Sequence, residues 1–216
     1  MGTLDSAIRI RLIEEVPISE AGFRCLLEKE YDFKLLKPVT CESGCCIACT
    51  NSAPDILLMV MNSGLKCGLE CISQIKHRNA DIKILVLCMI EDVHIARRLL
   101  DLRVNGVICG HTPPMILFRA IRVIAAGGTY IDTNIAQSIA LQESNSSFSP
   151  FSTLTLREFE IIRMMLDGLN QRQIGENLFI SAHTVANHHA NIMKKMGVSN
   201  HIELTKLAIR HGLITV

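Results

Sequence analysis

Five short apolar runs, Ile8–Ile13, Phe33–Leu36, Ile56–Met61, Ile82–Leu87 and Val107–Cys109, recur through the first half of the chain with helix-length segments between them. Runs this short and this uniformly apolar read as strands buried on both faces. Parallel neighbours need a crossover of a dozen or more residues, and a helix supplies it. The alternation therefore predicts a five-stranded parallel α/β sheet with helices on both faces. Pro113-Pro114 opens the last helix of this half, which repeats Ile116, Leu117, Ala120, Ile121 and Ile124 and stops at Gly127-Gly128.

The pattern changes after Glu143-Ser-Asn-Ser-Ser-Phe-Ser-Pro-Phe-Ser152, where five serines and a proline read as a linker. We divide the chain into an α/β domain over 1–142, a linker over 143–151 and a small all-α domain over 152–216. The last part shows no strand pattern and four helix-cap signals. Thr155 with Glu158 and Asn170 with Gln173 have capping-box spacing, Ser181 and Asn200 can cap two further helices, and Gly197 and Gly212 follow their last turns.

Charge sharpens this division. The whole chain carries 22 basic and 21 acidic residues, which names no partner, but residues 151–216 hold 7 and 5 of them and residues 1–150 hold 15 and 16. The second part is thus slightly basic and also carries five of the eight histidines, a weak electrostatic signal for nucleic acid. No apolar run is long enough to cross a bilayer and no signal-peptide pattern opens the chain, so a cytoplasmic protein is expected, with no membrane partner.

A short helix with Ile174 and Leu178 turned inward, a tight turn, and a second helix starting at Ser181 form a helix-turn-helix, whose second helix can enter a DNA major groove. Its inner stripe is Val185, His189, Ile192 and Met196; His189 reads as a core histidine satisfied by a hydrogen bond. His183, Thr184, Ala186, Asn187, His188, Ala190, Asn191, Lys194 and Lys195 are the candidate DNA-binding residues.

The segments Leu154-Thr-Leu-Arg-Glu-Phe-Glu, Gly168-Leu-Asn-Gln-Arg-Gln-Ile-Gly and Ile180-Ser-Ala-His-Thr-Val-Ala-Asn-His resemble the LuxR/NarL-type helix-turn-helix over about residues 152–213. The resemblance implies that Ser181–Gly197 reads the major groove of double-stranded DNA. It further implies that the last helix, about Asn200–His211, pairs two domains, making the protein a homodimer. Ala186 stands where the family usually has a base-reading lysine, and Ala190 at another contact position. Base readout then falls mainly to Asn187, whose amide suits an adenine edge, with His183 nearby. Thr184, His188, Asn191, Lys194 and Lys195 are better placed for phosphates.

Ile8-Arg-Ile-Arg-Leu-Ile-Glu-Glu-Val-Pro17, Pro54-Asp-Ile-Leu-Leu-Met-Val-Met-Asn-Ser-Gly64 and Arg119-Ala-Ile-Arg-Val-Ile-Ala-Ala-Gly-Gly-Thr-Tyr-Ile-Asp132 resemble a response-regulator receiver, a flavodoxin-like fold. A working receiver uses an acidic pair for Mg²⁺, an aspartate nucleophile, a hydroxyl and a lysine at its strand ends. Glu14 and Glu15 fall at the acidic pair as a vestigial metal site. Val60 falls at the phosphoacceptor, Cys88 at the hydroxyl and Gly110 at the lysine. Valine cannot form an acyl phosphate, and Asp55 lies about 16 Å away along the strand. The reading is a pseudo-receiver with no catalytic residue, no enzyme activity and no cofactor.

Nine cysteines, all before residue 110, are the outlying count. Cys41, Cys45, Cys46 and Cys49 are the candidates for redox or metal chemistry, and packing as small apolar residues is the alternative reading. The function expected is a sequence-specific DNA-binding transcription regulator. Its alternative is a co-regulator that binds other regulator proteins through the receiver-like domain, gated by thiol redox or metal.

Overall fold

A computed structural model describes residues 7–37, 54–61, 68–89, 93–144, 150–211 and 213–214. They form two compact units that divide near residue 140.

The first unit is built on strands β1 (Ile8–Ile13), β2 (Phe33–Leu35), β3 (Ile56–Met61), β4 (Ile84–Cys88), β5 (Gly106–Cys109) and β6 (Tyr130–Ile131). All pairs are parallel and the order is β2-β1-β3-β4-β5-β6, the doubly wound arrangement. Helices α1 (Pro17–Leu27), α2 (Leu69–Arg78), α3 (Val93–Asp101), α4 (Pro114–Ala125) and α5 (Thr133–Ser144) accompany the strands among the described residues. Each strand from β3 to β5 is buried along its whole length, which is why these runs carry no polar alternation.

The sequence pattern gives five strands and the sheet has six. The sixth, β6, is two residues long, too short to carry a period, and it completes the edge beside β5 with Tyr130 N–H donating to Asn105 C=O at 2.9 Å. Helix α5 runs on to Ser144, two residues into the stretch read as linker. The segment holding Cys41, Cys45, Cys46 and Cys49 lies outside the described residues.

One face of the sheet is sealed by α1 and α4: Leu58, Val60, Leu87 and Ile108 pack with Leu27, Leu117, Ile121 and Ile124 in one core. At the edge next to it, Arg122 of α4 donates to Asp32 at 2.7 Å and Glu30 at 2.6 Å and lies over the Phe33 ring at 5.0 Å. Two carboxylates and a ring on one guanidinium fix the start of β2 against α4.

The second unit holds a 3₁₀ turn (Pro150–Thr153) and helices α6 (Leu156–Leu166), α7 (Gln171–Leu178), α8 (Ala182–Met196) and α9 (His201–Arg210). All four expected caps are present. Thr155 and Asn170 make reciprocal capping boxes, and Ser181 and Asn200 accept from Thr184 N–H and Glu203 N–H. Gly197 ends α8 in the left-handed region. The core of this unit includes Phe151, Phe159, Ile162, Ile174, Val185, Ile192 and Leu204.

Gly106 starts β5 where a Cβ would sit 2.8 Å from the Tyr130 backbone oxygen and 2.7 Å from Ile124 Cδ1. Backbone cannot yield as a side chain can, so Gly106→Ala is expected to cost about 1–3 kcal/mol. Urea denaturation of the variant measures this, and an unchanged midpoint would contradict the close approach.

Candidate nucleic-acid interface

The second unit presents α8 through the turn that precedes it. Helix α7 ends at Phe179, which adopts φ 54° and ψ 40°, the left-handed conformation that costs a non-glycine residue about 1–2 kcal/mol. Ile180 N–H then donates to Gly175 C=O at 3.0 Å. A Cβ on Gly175 would lie 2.7 Å from Ile180 O, so the chain can reverse this tightly only over a glycine. Ser181 closes the turn: its Oγ accepts from Thr184 N–H at 3.0 Å and lies 2.8 Å from Thr184 Oγ1.

Polar contacts from α6 hold both helices. Arg157 donates to Leu178 C=O at 2.7 Å and to Glu160 at 3.1 Å, satisfying a carbonyl at the end of α7. Glu158 has one carboxylate oxygen that accepts from Thr155 N–H at 2.8 Å and from Lys195 Nζ at 2.6 Å. Burial pushes the Glu158 carboxyl up, but the bonds from Lys195 and Thr155 outweigh it and hold it below the usual carboxylate range. The N-terminus of α6 is thereby tied to the C-terminal turn of α8.

With α8 fixed, its faces separate. Val185, Ile192 and Met196 are buried, and His189 on the same stripe is half-buried. His183, Asn187, Ala190, Asn191 and Lys194 are exposed, at offsets that place them on one stripe along the helix. Thr184, Ala186 and His188 flank it, half-buried. Lys195 is exposed as a residue, yet its ammonium is bound to Glu158. The Thr155–Glu158 pair is visible in the sequence as a cap. Its third partner, 37 residues on, carries no local signal, and neither does the strained conformation of Phe179.

The first unit's candidate residues gather at the C-terminal edge of the sheet. Val60 is the penultimate residue of β3, buried on the α1/α4 side. Cys88 ends β4, and Gly110 follows β5. The Met89 thioether packs against Gly110, so a side chain at 110 would require Met89 to move. Glu14 is buried and Glu15 exposed. The Glu14 carboxylate accepts from Glu15 N–H at 2.8 Å, Val16 N–H at 3.0 Å and Ser19 Oγ at 2.8 Å, and so serves the start of α1. With that carboxylate committed and no acidic side chain at 60, these residues do not fit a Mg²⁺ ion. Asp55 lies before β3, at the other end, where Arg9 binds it at 2.9 Å and holds its carboxyl below the usual range. Among the described residues no group of three His, Cys, Asp or Glu is placed to hold a metal ion, and no helix is long and apolar enough to cross a membrane.

A doubly wound regulatory unit followed by a helix-turn-helix unit defines a DNA-binding transcription regulator. Comparison with known proteins agrees. Residues 152–208 match the family described as bacterial regulatory proteins, luxR family. The response regulator UvrY of Escherichia coli is 31% identical over 208 residues, covering 95% of each chain. The oxygen regulatory protein NreC of Staphylococcus carnosus is 27% identical, covering 96% of this chain and 99% of its own. Among solved structures, the RcsB response regulator of Salmonella typhimurium matches with a TM-score of 0.69 at 20% identity, covering 98% of this chain and all of its own. RcsB from the same organism bound to the promoter P1flhDC matches with a TM-score of 0.66 at 21% identity over 94% of this chain and 98% of its own. The chain belongs to the LuxR-type response regulators.

The Glu158–Lys195 contact has a measurable sign. Lys195→Met leaves a buried carboxylate without its cation and should destabilise the chain by about 1–3 kcal/mol at neutral pH. The native carboxyl sits below its unfolded value, so this contribution is present at neutral pH and is lost as pH falls through the folded pKa. Urea titrations of wild type and variant should converge in acid; an equal gap at both pH values would contradict the assignment.

Proposed function

We propose that the protein is a cytoplasmic, homodimeric regulator that reads double-stranded DNA through α8, with no enzyme activity of its own. The observation that carries this reading is the exposed stripe His183, Asn187, Ala190, Asn191 and Lys194 opposite the buried Val185, Ile192 and Met196. Asn187 is the base reader, with His183 beside it; Thr184, His188, Asn191 and Lys194 serve phosphates. Lys195 contributes charge while held by Glu158, and Ala186 and Ala190 allow close approach without reading bases. Dimerisation through α9 is supported by Ile202 and Ile209, exposed at 68% and 42% and seven residues apart. The domains in this reading are 1–142 and 152–216, with 143–151 between them.

The first domain serves this reading as a receiver that takes no phosphoryl group. Val60 offers no nucleophile, Gly110 puts no ammonium at the lysine position and Glu14 is engaged by backbone N–H groups. Incubated with acetyl phosphate and Mg²⁺, the full chain should show no stoichiometric mass gain on residues 1–142; a phospho-adduct there would overturn the pseudo-receiver.

Selection of binding sites from random duplexes with the purified chain should return a reproducible sequence. Asn187→Ala should then lose about 1–3 kcal/mol of discrimination at one base pair. Lys194→Ala should weaken specific and non-specific duplexes alike and lower the salt slope by about one per subunit. Selection without a consensus, or Asn187→Ala with an unaltered consensus, would sink this assignment.

A further inference from the structure

The C-terminal edge that lacks phosphorylation chemistry is lined with sulfur. Met61, Cys88 and Cys109 are register partners across three adjacent parallel strands, Met61 beside Cys88 and Cys88 beside Cys109. Their neighbours one residue earlier, Val60, Leu87 and Ile108, all belong to the core on the α1/α4 side. By the period-2 alternation of a strand, Met61, Cys88 and Cys109 project together from the opposite face. Cys88 and Cys109 are 5% and 3% exposed and Met61 is 4%, and both cysteines are thiols.

We propose that Cys88 and Cys109 form a dithiolate site for a soft monovalent d¹⁰ cation, Cu(I). Adjacent strands stand about 4.7–4.9 Å apart. Taking the roughly 2.3 Å of a zinc–thiolate bond as the scale, two metal–sulfur bonds in line span about 4.6 Å, close to the strand spacing, so a two-coordinate ion can bridge register partners without closing the ladder. A disulfide asks for Cβ atoms about 3.8 Å apart, which the strands meet only by closing. The ladder resists that closure: Gly110 N–H donates to Cys88 C=O at 2.7 Å and Met89 N–H to Met61 C=O at 3.0 Å. Thiolates with a thioether next in the row form a donor set that selects Cu(I) over the harder divalent ions.

Binding is a ligand exchange with no change of oxidation state. Cu(I) gains two sulfur bonds, the two S–H bonds break, and two protons leave to solvent. The product carries one negative charge. Helices α3 and α4 each start five residues beyond one of the two cysteines, so their N-terminal dipoles favour an anion at this edge.

The test uses the full chain, reduced and under anaerobic conditions, titrated with Cu(I) against bicinchoninate. A variant with serine at Cys25, Cys41, Cys45, Cys46, Cys49, Cys67 and Cys71 should retain one tightly bound ion, with two sulfurs around copper by X-ray absorption. Adding Cys88→Ala or Cys109→Ala should each weaken it by about 10²–10⁴-fold, since one thiol no longer chelates. Circular dichroism confirms that each variant is folded. If the seven-serine chain does not fold, the single alanine variants of wild type should each lose one copper equivalent. A folded seven-serine chain that takes up no copper, or alanine variants that keep the ion, would overturn the site. So would a Cys88–Cys109 disulfide forming fully in a mild thiol–disulfide buffer, because the strands would then close as the spacing argument denies.

Discussion

The reversal between α7 and α8 depends on one close approach, Ile180 N–H to Gly175 C=O over a glycine that has no room for a Cβ. If the turn were wider, α8 would leave α7 at another angle and the exposed stripe from His183 to Lys194 would point elsewhere. The left-handed conformation of Phe179 is strain that this closure requires. The strain is offset by contacts made on both sides of the turn: the Asn170 capping box before it, the Ser181 cap after it, and Arg157 on the Leu178 carbonyl across it.

A rigid presentation matters because recognition by this helix has few side chains to work with. Ala186 and Ala190 are short, so under the proposed function discrimination would concentrate on Asn187 and His183, and an amide reading a base edge tolerates little displacement. The Glu158–Lys195 contact serves the same end from the other end of the helix. It anchors the C-terminal turn of α8 to the cap of α6. In the first unit the C-terminal edge of the sheet carries apolar and sulfur side chains: Val60, Met61, Cys88, Met89 and Cys109.

Much of this was legible in the sequence because it is local. Strands β1 and β3 fall on the apolar runs residue for residue, and β4 is displaced by two residues at its start because Ile82 and Lys83 belong to the preceding loop. The four caps follow from side-chain chemistry within three residues of each helix start, and the inner stripe of α8 follows from helical spacing. What escaped is non-local or too short to carry a period. Strand β6 has two residues and exists because β5 offers it an edge. Lys195 reads as an ordinary surface cation until α6 is packed beside it. The register of Cys88 with Cys109 depends on how β4 and β5 pair, and no spacing of 21 residues in a chain announces it. The cysteines that sequence spacing singles out, 41 to 49, are a different set.

The central claim is that this regulator binds its operator without phosphoryl input. Hydroxyl-radical footprinting of the full chain on a selected duplex, with and without acetyl phosphate and Mg²⁺, tests it most directly. The account predicts two protected half-sites, with the same protection and the same midpoint in both conditions. Protection that appears or tightens only with the phosphodonor, or no protected site in either condition, would contradict it.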